Sequence, residues 1–122
     1  MDSVAKSVTM DELFAGTYPV KKRGVTIAAG ADLVRGSLIG VITASDKGAL
    51  VSDASNDGSE VAEGILLDDV AAASEDKAGT IALTGDFNQL ALTVGGSTAV
   101  ADYAAALRNK SIFIDQSAQP VV

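Results

Sequence analysis

The sequence predicts a small, mainly β domain with one packed α-helix in its C-terminal half and an extended N-terminal arm. From Gly24 onward, short apolar segments alternate with glycine or with Asp, Asn and Ser, which is typical of strands joined by turns. Only one longer segment has apolar residues at helical spacing. The length of 122 residues corresponds to one folded domain. We therefore expect an arm over residues 1–23 and a β-rich domain over residues 24–122.

The arm is polar and mixed in charge, and it contains one signal for local structure. Thr9 to Glu12 fits a capping box, in which Thr9 is the N-cap and Glu12 is the third helical residue. Gly16 is placed to end a helix of about two turns. A helix this short is marginal alone because nucleation costs more than its few hydrogen bonds return. We expect the arm to need another surface to order it.

Strands are expected wherever short β-type segments lie between turn residues. The expected strands cover residues 25–29, 38–43, 49–52, 61–67, 80–84, 90–94 and 111–115. The glycines between them are expected to serve turn or bulge geometry rather than a ligand: Gly30, Gly36, Gly40, Gly48, Gly58, Gly64, Gly79 and Gly85. Residues 116–122 should lie on the surface or fray.

The segment from Asp57 to Val70 shows this pattern most clearly. Gly58 permits the positive φ of a tight turn after Asp57. Burial of the following strand is expected from four apolar side chains: Val61, Ile65, Leu66 and Leu67. Asp68 and Asp69 follow this strand and could suggest a general acid and base. Adjacent strand residues point to opposite faces and cannot both act on one substrate, so we expect a solvated strand end instead.

An α-helix of about three turns is predicted after the Gly95-Gly96 turn. Ser97 or Thr98 is the expected N-cap. The apolar side chains at helical spacing form one stripe: Val100, Tyr103, Ala104 and Leu107. This stripe should pack on the sheet.

The composition excludes several function classes. The chain has no cysteine and no histidine, which removes disulfides, thiolate nucleophiles and the commonest general base and metal ligand. Neither a dinucleotide fingerprint nor a P-loop can be found. Asp53 to Gly58 resembles half of a calcium loop, but Gly64 stands where the bidentate Glu should be. We expect no enzyme activity, no cofactor and no metal site.

Charge and hydropathy limit the partners. The net charge of −7 argues against a surface that binds DNA or RNA. The basic run Lys21 to Arg23 fits a solvated segment before a strand, or alternatively an attraction to an acidic protein surface. No apolar stretch approaches the roughly 18 residues that span a bilayer, and no secretory signal is visible. With 48% hydrophobic but only 4% aromatic residues, the core should be thin, so self-association would help to cover apolar surface.

Four segments in this order resemble the head decoration proteins of tailed bacteriophages, the lambda head decoration protein D-like capsid-stabilising proteins. They are GADLVRGSLIGVIT (30–43), DGSEVAEGILLDDV (57–70), GDFNQLALT (85–93) and AALRNKSIFI (105–114). The resemblance covers about residues 24–115. It implies a β-clip-like domain that forms a homotrimer at threefold and quasi-threefold positions on the outside of the head. It also implies the major capsid protein as partner, synthesis in the host cytoplasm, and stabilisation of the expanded capsid against internal DNA pressure.

The family's N-terminal arm implies a capsid-binding site in the last part of the arm of this chain. The candidate residues are Thr17, Tyr18, Pro19, Val20, Lys21, Lys22 and Arg23. Their backbone is expected to add a strand to an exposed edge of the major capsid protein, while Tyr18 and Val20 fill pockets. The alternatives are another virion structural or display module, such as a tail, fibre or glycan-binding module, or a trimeric β-clip nucleotide hydrolase. The low aromatic content speaks against glycan binding, and the residue set of a nucleotide hydrolase cannot be assembled.

Overall fold

The structure, a computed structural model, describes residues 13–14 and 18–115. Within these residues the chain forms nine strands, two 3₁₀ turns and one short α-helix. The strands are β1 (Lys22–Ile27), β2 (Ala31–Leu33), β3 (Leu38–Ile42), β4 (Lys47–Leu50), β5 (Ala62–Leu66), β6 (Val70–Ala72), β7 (Lys77–Ala82), β8 (Gly85–Asn88) and β9 (Ile112–Asp115). The 3₁₀ turns are Gln89–Ala91 and Val100–Tyr103, and α1 is Ala104–Arg108. With 42% strand and 12% helix, the mainly β class is confirmed.

Five strands close a barrel in the order β1-β4-β3-β5-β7. β1 pairs in parallel with β4 and antiparallel with β7, and this second pairing runs from Lys22 opposite Ala82 to Ile27 opposite Lys77. Two smaller sheets complete the fold: β2 with β6 antiparallel, and β8 with β9 parallel.

Apolar side chains on the barrel strands alternate between two cores. Ile39, Leu66 and Ile81 belong to one buried cluster, which draws on β1, β3, β5 and β7 and fills the barrel. The residue next to each of these belongs to a second cluster, which lies against α1, β8 and β9: Leu38, Ile65 and Ala82. Because successive strand residues face opposite sides, one sheet serves two cores. These residues are fully buried, at 0% exposure, so the strands are held on both faces.

Glycine is required where the chain bends sharply or packs closely. Gly58 has a φ of +108°, which confirms the predicted turn after Asp57. At Gly40 the register between β3 and β5 shifts, and a Cβ there would lie 2.3 Å from the carbonyl oxygen of Ser59. Bulge geometry therefore explains Gly40, as expected.

Several predicted elements differ in the structure. Residues 90–94 do not form a strand, because the Asn88 side chain accepts a hydrogen bond from Leu90 N (3.1 Å) and turns the chain into a 3₁₀ turn. Leu90 is consequently 70% exposed, whereas Leu92 is buried. Val61 is 46% exposed rather than buried, because β5 begins one residue later.

The predicted helix is shorter and capped differently. Its N-cap is Ala99, whose N–H donates to Oδ2 of Asp102 (3.2 Å), and Ser97 N instead donates to Oδ1 of Asp53 (3.0 Å). The apolar stripe is confirmed: Ala104 and Leu107 are buried, and Val100 and Tyr103 pack against the same cluster.

Two further predictions concern the ends of the chain. Phe14 forms an antiparallel bridge with Phe87, so the helix predicted after Thr9 does not include Phe14. The rest of that predicted helix, and the C-terminal residues 116–122, lie outside the described residues.

Candidate functional site

The segment predicted to contact a capsid runs alongside the turn between β7 and β8. Thr17 lies outside the described residues, and the description of this segment begins at Tyr18. Lys21 N donates to Oγ1 of Thr84 (2.9 Å), and this hydroxyl donates to the carbonyl oxygen of Pro19 (2.8 Å). Leu83 N donates to the carbonyl oxygen of Lys21 (2.7 Å). The backbone from Pro19 onward is therefore tied to the chain's own β domain.

The side chains of Tyr18 and Val20 differ in how much surface they offer. The Tyr18 ring meets Phe113 edge to face with centroids 5.0 Å apart, and Tyr18 remains 43% exposed. Val20 is half-buried against the cluster that contains Phe87. Tyr18 keeps an accessible face, whereas Val20 contributes largely to the chain's own core. The capsid-contact role of these residues stays a prediction.

Lys22 and Arg23 lie in β1, both exposed, and they point to different neighbours. Arg23 Nη2 is 3.5 Å from Oδ2 of Asp46, an exposed ion pair of the kind that contributes little to stability. Lys22 lines a pocket of about 350 Å³ on the other side of the strand. The remaining lining residues are Phe14, Arg35, Leu67, Asp68 and Thr80. No local pattern indicates that Arg35 lies near Lys22, because only strand pairing and the β2–β3 loop bring the two residues together.

The backbone and the guanidinium group of Arg35 both make contacts at this pocket. Its backbone N donates to Oδ1 of Asp69 (2.8 Å), and Nη1 donates to the carbonyl oxygen of Leu67 (2.6 Å). The guanidinium carbon lies 5.7 Å from the centroid of the Phe14 ring, which in turn packs 5.2 Å from the Phe87 ring. A cation over an aromatic face is stabilised by the ring quadrupole. The position of this positive charge is therefore set by the fold.

Besides the pocket, the surface carries a few exposed apolar side chains. Val34 is 51% exposed and Leu90 is 70% exposed. Their loops contact each other, because Thr93 N donates to the carbonyl oxygen of Gly36 (3.1 Å). Val61, at 46% exposure, lies at the start of β5.

The carboxylates with shifted pKa values serve turns and loop contacts. Hydrogen bonds from the Ser59 hydroxyl and backbone lower the pKa of Asp57. Hydrogen bonds from Ser97 N and the Thr98 side chain lower the pKa of Asp53. Because both carboxylates are stabilised in the charged form, neither is prepared to act as a general acid.

In the described part of the chain, no group of three or more Asp or Glu side chains is placed to hold a metal ion. No helix within these residues has the length and apolarity needed to cross a membrane. Lys77 forms an exposed ion pair with Glu75 (2.8 Å).

Comparison with known families identifies the kind of protein. The profile of the family described as Bacteriophage lambda head decoration protein D matches residues 5–113. The chain belongs to this family. It is a phage head decoration protein, a structural protein that associates with the capsid of the virion, and the resemblance drawn from its four sequence segments is confirmed. No match was found among curated proteins. The β-clip likeness stays a prediction.

Proposed function

We propose that this decoration protein forms a homotrimer on the outer surface of the head, at threefold and quasi-threefold positions. There it stabilises the expanded capsid against internal DNA pressure. The family match over residues 5–113 carries the proposal, because it implies association with the capsid. Membership of a structural family also supports a role without catalysis.

The physical mechanism is cementing of the seams between capsid subunits. DNA packing strains these seams. A trimer that spans a seam binds the subunits on both sides, so its contacts must also be broken before the subunits can separate. Even if one arm binds with only millimolar affinity, about 4 kcal/mol, linkage of three arms raises the overall affinity by about 10² or more. Weak individual contacts then hold firmly.

We assign capsid binding to the arm, residues 1–23, and trimer formation to the domain of residues 24–122. Since the backbone of Pro19 and Lys21 is bonded to Thr84 and Leu83, strand addition to a capsid edge falls to residues before Tyr18. The residues from Tyr18 to Arg23 then contribute side chains, chiefly the exposed Tyr18 and Lys22. Among the predicted contacts Val20 contributes least, because it packs against the chain's own core.

The exposed apolar side chains support self-association. Val34 and Leu90 lie on touching loops, and burying them against a second copy would remove apolar surface from water. Such burial contributes about 25 cal/mol per Å² toward the interface, and this gain offsets part of the translational and rotational freedom that is lost on association.

Binding to expanded heads that lack decoration protein tests the proposal. The heads are taken from the phage that encodes this chain, and bound protein is measured by co-sedimentation and imaging. We expect trimeric protrusions at threefold positions. Heads that remain bare, or protrusions with another symmetry, would overturn the proposal.

A variant with residues 1–12 replaced by a Gly-Ser sequence of equal length tests the arm. The replacement stops before Leu13 because this residue is buried and its carbonyl oxygen accepts from Asn88 N (2.8 Å). We expect an unchanged unfolding midpoint and head binding weaker by about 10² or more. Binding equal to that of the unchanged chain would show that the arm is not the contact.

A further inference from the structure

The arm is attached to the β domain at two separate places. Leu13 and Phe14 contact β8, whereas Pro19 and Lys21 contact the turn between β7 and β8. Because Leu13 comes first in the chain, a pull on residues 1–12 reaches it before it reaches Pro19. The contact at Leu13 therefore decides where load on the arm enters the domain.

Leu13 joins the domain through both its side chain and its backbone. The side chain is only 3% exposed and belongs to the core cluster that contains Leu107 and Ile112. Its carbonyl oxygen accepts from Asn88 N (2.8 Å). A Cβ built on Gly36 would lie 3.6 Å from Leu13 Cδ1, so Leu13 also lies close to the β2–β3 loop. Pulling Leu13 out of the domain would expose apolar surface to water and break a hydrogen bond.

Phe14 extends the same contact along β8. It forms an antiparallel bridge with Phe87, and the two ring centroids lie 5.2 Å apart. The guanidinium carbon of Arg35 lies 5.7 Å from the centroid of the Phe14 ring. Since Phe87 is fully buried, Phe14 packs on a side chain that the core itself holds in place. Leu13 and Phe14 thus form one joint with the domain.

The second attachment begins with exposed contacts. Tyr18 remains 43% exposed where it meets Phe113. The hydrogen bonds that join Pro19 and Lys21 to the Thr84 hydroxyl are exposed as well. Water can replace exposed hydrogen bonds at little net cost in free energy. If the joint at Leu13 were released, the load would pass to these exposed contacts.

Release of the joint would also lengthen the arm. Residues 1–12 precede Leu13, whereas residues 1–18 precede Pro19, which is a difference of six residues. Six residues of extended chain span roughly 20 Å. Contacts across a seam between capsid subunits break within a few ångström, because a hydrogen bond needs its donor and acceptor within about 3.2 Å of each other. An arm with this much slack would become taut only after the seam had opened.

We propose that Leu13 and Phe14 are positioning residues that anchor the capsid-binding arm to β8 and keep its length at residues 1–12. The proposal rests on capsid binding by the arm, as proposed above, and adds the joint through which load passes from the capsid into the domain. Six extra residues lower the effective concentration of a linked arm only about twofold. The anchor therefore affects resistance to load more than it affects binding at equilibrium.

A full-length variant with six Gly and Ser residues inserted between Glu12 and Leu13 tests the anchor. The insertion lengthens the arm but leaves the contacts of Leu13 and Phe14 in place, so a purely structural role of these residues is not disturbed. Binding to expanded heads is measured by co-sedimentation, and protection of DNA-filled heads is measured as the midpoint temperature of heat-induced DNA release. We expect binding to fall by less than about tenfold and most of the protection to be lost.

The matched control carries the same insertion between Ser55 and Asn56, in a loop outside the arm. It should keep both binding and protection, because surface loops tolerate insertions. Phe14→Ala removes the ring contact with Phe87 and should also lose protection while it keeps binding. If Phe14→Ala protects heads fully, Phe14 is not part of the anchor.

Each outcome of the two insertions decides the proposal. If the unchanged chain binds heads and the lengthened arm protects them equally well, the anchor assignment is wrong while the capsid-binding function stands. If the unchanged chain does not bind, both fail. If the insertion before Leu13 weakens binding by about 10² or more, arm length acts on binding itself and the load-bearing role is overturned. If the insertion after Ser55 removes protection equally, the loss does not depend on the arm and the proposal is also overturned.

Discussion

Shortening Leu13 to alanine should destabilise the folded domain, although Leu13 lies in the segment predicted from sequence to be an arm. Leu13 is only 3% exposed and belongs to the core cluster outside the barrel. Its carbonyl oxygen accepts from Asn88 N (2.8 Å), and the next residue, Phe14, bridges to Phe87. These contacts make residues 13–14 an added strand pairing on β8.

The expected loss follows from the carbon atoms removed and the cavity left behind. Leu13→Ala removes apolar groups worth about 0.8 kcal/mol each and leaves a partly collapsed cavity, which together cost about 3 kcal/mol. For a domain of this size, that loss corresponds to a thermal midpoint lower by about 10 °C. Such a loss is a large fraction of the roughly 5–15 kcal/mol that stabilises a typical domain.

Denaturant unfolding followed by circular dichroism measures this loss. All variants are compared at one protein concentration, because self-association stabilises the folded state by mass action. Val61→Ala is the control, since Val61 is 46% exposed and should change the free energy of unfolding by less than about 0.5 kcal/mol. If Leu13→Ala and Val61→Ala unfold at the same midpoint, Leu13 does not belong to the core and the argument for its burial is refuted.

Three further predictions test assembly, packing and pH dependence. Leu90→Asp should leave the unfolding midpoint of the isolated chain unchanged, because Leu90 is 70% exposed. The same variant should abolish self-association in sedimentation, and an intact trimer would contradict a role of Leu90 in assembly. Gly40→Ala should lower the free energy of unfolding by about 1–3 kcal/mol or more, because the new Cβ would lie 2.3 Å from the Ser59 carbonyl oxygen. An unchanged midpoint of urea unfolding would refute this close packing. The Lys47 side chain (2.6 Å) and then Ala29 N (2.8 Å) hold the pKa of Asp76 below its ordinary value of 3.8. Asp76 therefore contributes stability above pH 3.8 that is lost as the pH falls through its lower folded pKa. Asp76→Asn should have a lower unfolding midpoint than the unchanged chain at neutral pH and the same midpoint in strong acid. A difference in midpoint that persists in acid would count against the charged interaction.

The strands that sequence located best contain adjacent apolar residues and lie close to turn residues. β3 and β5 fall within the expected residues 38–43 and 61–67. Both faces of these strands are buried in the folded domain, so adjacent apolar residues are needed there, and the local sequence shows them. The expected strand at 90–94 shows the converse. The alternation of Leu90 and Leu92 resembles a strand, whereas the Asn88 side chain accepts a hydrogen bond from Leu90 N and the chain forms a 3₁₀ turn.

The shortest strands could not be predicted from the local pattern of apolar and polar residues. β2 and β6 have three residues each, and β8 has four, which is too few to show a period. Their partners lie far along the chain, as in the pairing of Ala31 with Ala72. Long-range pairing therefore defines them, and propensity alone does not.

By itself, the sequence determined the mainly β class, the single apolar helix stripe, the turn at Gly58 and membership of the decoration protein family. These depend on residue type and short spacing, which the chain carries locally. Only the tertiary structure decided that Leu13 belongs to the core, that the backbone at Lys21 is already bonded, and that Lys22 and Arg35 share a pocket. Residues distant in the chain meet there because strand register and loop packing, rather than local preference, set the distances between them.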